Sequence, residues 1–74
     1  MSVSRNDLYH YLKGALLWDV KSTQSTLRHS AHLIEQSGEE SLKPLQAGLS
    51  QLSQVLKKLE EALPKYLEGL KENA

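Results

Sequence analysis

An antiparallel two-helix hairpin, all-α, is the fold this 74-residue chain predicts, and three observations predict it. From Leu42 to Leu70 an apolar residue recurs at alternating intervals of three and four, the signature of a helix that packs along a seam. Gly38 separates two helical stretches of similar length, as expected for two rods that fold back on each other. Four glycines, two prolines and no phenylalanine give little support to a strand-rich fold.

Ser4, with Asp7 three residues on, reads as an N-cap and an acidic partner, so the first helix is expected over about 5–37. Gly14 within it costs roughly 1 kcal/mol relative to alanine. Ser22-Thr23-Gln24-Ser25-Thr26 is its weak point, because small polar residues need tertiary packing to stay helical. Gly38 supplies the left-handed residue that closes many helices. Ser41 is the expected cap of the second helix, over about 42–63, with Pro44 in its first turn, where a missing N–H has no partner to lose. Pro64 should kink or break that helix. The apolar phase continues through Tyr66 and Leu70, so a continuation over 64–72 is expected in line, with Asn73 and Ala74 frayed. Residues 1–74 then form a single domain.

The seam of the second helix is Leu42, Leu45, Leu49, Leu52, Leu56, Leu59, Leu63, Tyr66 and Leu70. Gly48, Val55, Ala62 and Gly69 flank it, small enough to let a neighbour come close, so the face is wide enough for two helices. Uniform leucine does not choose an oligomeric state. The first helix has two stripes. Leu8, Leu12, Leu16, Val20, Thr23, Leu27, Ala31 and Ile34 should pack on the leucines. Tyr11, Ala15, Trp18, Ser22, His29 and Leu33 form a second stripe that a simple hairpin does not need. That stripe is the expected partner-binding surface, anchored by Trp18 and Tyr11. The bland alternative is that it only covers the hairpin's flank.

Composition excludes other roles. A chain this short rarely buries a sufficient core alone, which points to a second copy or a partner. Without cysteine, no disulfide or thiolate site supplies the missing stability. Nine basic and nine acidic residues leave no excess for phosphate contacts, although Lys13, Lys21 and Arg28 share one side of the first helix. The same balance argues against an anionic membrane surface, and no segment reaches the roughly 20 apolar residues of a bilayer span. The expected compartment is the cytoplasm. His29 and His32 stand one turn apart with Glu35 beyond, but no second ligand cluster is present, so no metal is expected. No nucleophile–base pair or phosphate loop is recognisable, so neither catalysis, a cofactor nor a small-molecule substrate is expected. The expected role is a non-enzymatic protein–protein interaction module. Its partner is a helical protein or, in the alternative, a second copy in a homodimeric four-helix bundle.

A long first helix, the turn Ser37-Gly38-Glu39-Glu40-Ser41, and a leucine-rich second helix opening with Leu45-Gln46 together resemble the small helical-hairpin co-chaperones of bacterial type III secretion. The resemblance is one of layout and covers most of the chain. It implies a cytoplasmic chaperone that guards a needle subunit before export, in a complex with a helical-repeat chaperone.

Overall fold

The computed structural model describes residues 3–72. The predicted hairpin is what it shows; Asn73 and Ala74 lie outside the described residues. Ser4 caps helix α1 (Arg5–Tyr11), its hydroxyl accepting from the Asp7 N–H at 3.0 Å. The chain then passes through a π-helical turn, Leu12–Leu16, into helix α2 (Leu17–Ser37). The first rod is thus helical from 5 to 37 as expected, with an irregularity around Gly14.

That irregularity has a cause in the sequence. Leu8, Leu12, Leu16 and Val20 are spaced by four, so in a regular α-helix each step drifts by about 40°. A π-turn holds more residues per turn and takes up that drift. Leu12 and Leu16 are brought to half-buried positions above buried Val20, while Leu8 stays largely exposed and Tyr9 is half-buried beside it. The weak Ser/Thr stretch is helical throughout. Thr26 Oγ1 donates to the Ser22 carbonyl at 3.2 Å and Ser30 Oγ to the Thr26 carbonyl at 2.8 Å, so these hydroxyls satisfy themselves on their own helix.

Gly38 ends α2 in the left-handed conformation, φ 68°. Ser37 Oγ donates to the Ile34 carbonyl at 2.7 Å and accepts from the Glu39 N–H at 3.2 Å, tying the turn. A single 3₁₀ turn, Glu40–Leu42, leads into helix α3 (Lys43–Glu72). Ser41 therefore does not take the predicted cap position. It lies inside the 3₁₀ turn, its hydroxyl donating to Glu39 Oε1 at 3.1 Å. Pro44 is the second residue of α3, in the first turn as expected.

Of the kink or break expected at Pro64, a break does not occur: α3 is one helix across it, and the expected continuation over 64–72 follows in line of sequence. Proline costs about 3 kcal/mol in a helix interior, chiefly through the lost bond to the carbonyl four residues back. Pro64 is exposed, while its neighbours Leu63 and Leu67 are buried against the first rod. Each such leucine contributes roughly 1.5–3 kcal/mol, enough together to offset the proline and keep the helix unbroken.

Helix α2 packs along α3, and α1 reaches the far end of α3. The rod measures 51 × 22 × 16 Å, with a radius of gyration of 16.5 Å. A compact chain of this length would have about 11 Å. Two helices side by side share one line of contact, and the buried apolar residues are accordingly few: Val20, Ala31, Leu63 and Leu67.

Candidate protein-interaction surfaces

The leucine seam divides in two. Leu49, Leu56, Leu63 and Leu70 turn towards the first rod and are half-buried or buried. Leu42, Leu45, Leu52, Leu59 and Tyr66 are exposed, so the first rod does not cover them. The reason is geometric. One helix on one side of α3 covers residues recurring every seven positions and those one step further round, which are Gln46, Ser53, Glu60 and Leu67. Leu67 was not part of the predicted seam, because the other residues of its row are polar.

Two of those polar residues form part of the hairpin's centre. Gln24 and Ser53 are buried and Glu60 is half-buried. With the Gln24 amide turned to suit its neighbours, its nitrogen donates to Glu60 Oε1 at 2.7 Å and its oxygen accepts from Arg28 Nη2 at 2.8 Å. Thr23, predicted to face the leucines, is exposed, and Gln24 occupies the interior beside it.

The two flanks of α3 differ in character. Residues one step after the contact line, such as Ser50 and Lys57, line an open polar groove of about 400 Å³ shared with Arg28, His32 and Glu35 of α2. Residues one step before it are Gly48, Val55 and Ala62, between the exposed Leu45, Leu52, Leu59 and Tyr66. Ala62 is half-buried and the others are exposed, and this flank holds no charge from 45 to 48, 52, 55, 59, 62 and 66.

The second stripe of the first rod is exposed at every position: Tyr11, Ala15, Trp18, Ser22, His29 and Leu33. Trp18 is 67% exposed and Tyr11 66%. Trp18 and Ser22 are two residues either side of buried Val20, and Leu33 is two beyond buried Ala31. Two residues on an α-helix turn about 160°, so the stripe lies on the back of the rod, away from α3. Lys13 sits nearby in sequence with its Nζ 5.6 Å from the Tyr9 ring centroid. His29 and His32 are both exposed, and no group of three or more potential metal ligands converges among the described residues.

No family model, curated protein or solved structure matches the chain. Its surfaces must therefore be weighed on their own chemistry. Among the described residues no helix is long and apolar enough to cross a membrane.

Proposed function

We propose that this chain is a non-enzymatic interaction module which uses the back of its first rod to cover apolar surface on a helical partner protein. One observation carries the reading: Tyr11 and Trp18 stand two-thirds exposed on a helix face that the hairpin itself does not use. Aromatic side chains are the residues most enriched at the buried centres of protein interfaces, where they combine large area with few rotatable bonds. Leu33 extends the same face by about four turns beyond Trp18.

The layout shared with type III secretion co-chaperones gives this role a concrete form. In that form the chain works in the cytoplasm, the client is a needle subunit awaiting export, and a helical-repeat chaperone completes the complex.

The test is capture. Tagged chain recovered from its native source should co-elute with a helical protein, and Trp18→Asp should abolish that recovery while circular dichroism stays unchanged. A variant that loses its helicity would place Trp18 in the folding core and end this assignment. So would undiminished recovery by Trp18→Asp.

A further inference from the structure

The surface on α3 makes a different demand from the one on α2. Leu45 is 51% exposed, Leu52 49%, Val55 60%, Leu59 40% and Tyr66 74%. Together they leave on the order of 500 Å² open in one strip, a large part of the roughly 800 Å² per partner that a stable complex covers. The strip is about 30 Å long. It follows the same alternation of three and four as the covered seam.

The order of residues along the strip fits its own inverse. Consider a two-fold axis between Val55 and Leu56, with two α3 helices antiparallel. Leu45 then stands opposite Tyr66 of the second copy, and Leu52 opposite its Leu59. Gly48 and Ala62 lie between these pairs, small enough to let the second helix come close. The space for such a neighbour exists, because a Cβ built on Gly48 would meet nothing within 4 Å. No charge falls on the strip, so no like-charge pair opposes this arrangement. A patch complementary to itself about a two-fold axis closes after two subunits.

We propose that the Leu45–Tyr66 strip joins two copies of this chain, antiparallel, into a four-helix bundle whose outer sides carry the two Trp18 stripes. The inference extends the interaction-module reading: the dimer would present its partner-binding face twice. Self-association is measured on the chain alone. Its failure would leave capture through Trp18 standing, and failure of that capture would leave the dimer standing.

Light scattering and sedimentation of the purified chain should give twice the 8.3 kDa chain mass at micromolar concentration. A single-chain mass at every concentration would overturn the proposal and assign the strip to another protein. An assembly beyond two copies would overturn it as well. Trp18→Asp should leave the dimer intact, and dissociation by that variant would move the interface to α2. The chain has a single tryptophan, so its fluorescence should remain that of a water-exposed indole in the dimer. A blue shift on association would count against the assignment. Leu52→Glu with Leu59→Glu places uncompensated charge in the strip and should weaken dimerisation by at least roughly 100-fold. Should that variant unfold, cysteines decide, since the chain has none of its own. Chains carrying Leu52→Cys and Leu59→Cys, mixed and mildly oxidised, should form the 52–59 disulfide. Preferential 52–52 linkage would overturn the antiparallel register.

Discussion

Gln24 is 5% exposed, yet its side chain carries the hydrogen bond between the two rods, to Glu60 at 2.7 Å. Removing one member of such a pair costs more than the bond itself, because the other, here half-buried Glu60, loses its partner. Gln24→Ala should lower unfolding stability by about 1–3 kcal/mol in a urea titration. Gln24→Leu with Glu60→Leu should come out near neutral, because the desolvation cost disappears with the bond. The pair's contribution would then be to hold the rods in one register, and the double variant tests it through the sharpness of the unfolding transition. Such a residue is hard to read from a sequence. A lone glutamine amid Ser22, Thr23, Ser25 and Thr26 has the same composition as a solvated surface, and only the partner across the hairpin distinguishes it. Gly38 is the opposite case: the conformation it takes, φ 68°, follows from its having no Cβ, and its role as the corner was legible in one letter.

Among the elements, the two glycine and proline irregularities make opposite predictions. Pro64 lies inside α3 and exposed, with no structural demand for a ring at that place. Pro64→Ala restores a backbone hydrogen bond and should raise stability by up to about 3 kcal/mol, seen as a higher melting temperature. Gly38→Ala forces a Cβ into left-handed backbone and should lower it by about 1–2 kcal/mol. Gly14 belongs to a π-turn with open space around it. The sequence located these three positions, and of the two outcomes expected at Pro64, a kink or a break, the helix is not broken there. The local rule sees a ring that disfavours helix, whereas burial of its neighbours Leu63 and Leu67 favours continuing the helix. The leucine alternation likewise located the sticky face of α3 without saying how much of it one neighbour would cover. That depends on how far around α3 the first rod reaches, a property of packing and not of spacing.

For the whole molecule, the small buried set sets the terms. Among the described residues four buried apolar side chains in a rod 51 Å long make a thin core for the backbone order it must maintain. A rod that pairs with its own copy draws stability from association, so its melting temperature should rise with chain concentration. Scans across a hundredfold range of concentration check this, and a constant midpoint would show that the hairpin stands by itself. The Trp18 stripe, singled out from spacing, is exposed along its length and lies on the back of the rod. What the stripe touches was never written in its own residues, since an interface is half specified by the other molecule.

The groove lined by Arg28, His32, Ser50 and Lys57 has a consequence for growth. A rod with grease on both flanks would add neighbours indefinitely and lengthen into sheets or fibres. Here the flank opposite the leucines is wetted by charge and hydroxyl, so water competes for it on equal terms. The apolar contacts proposed for this protein accordingly fall elsewhere, on the Leu45–Tyr66 strip and the Trp18 face.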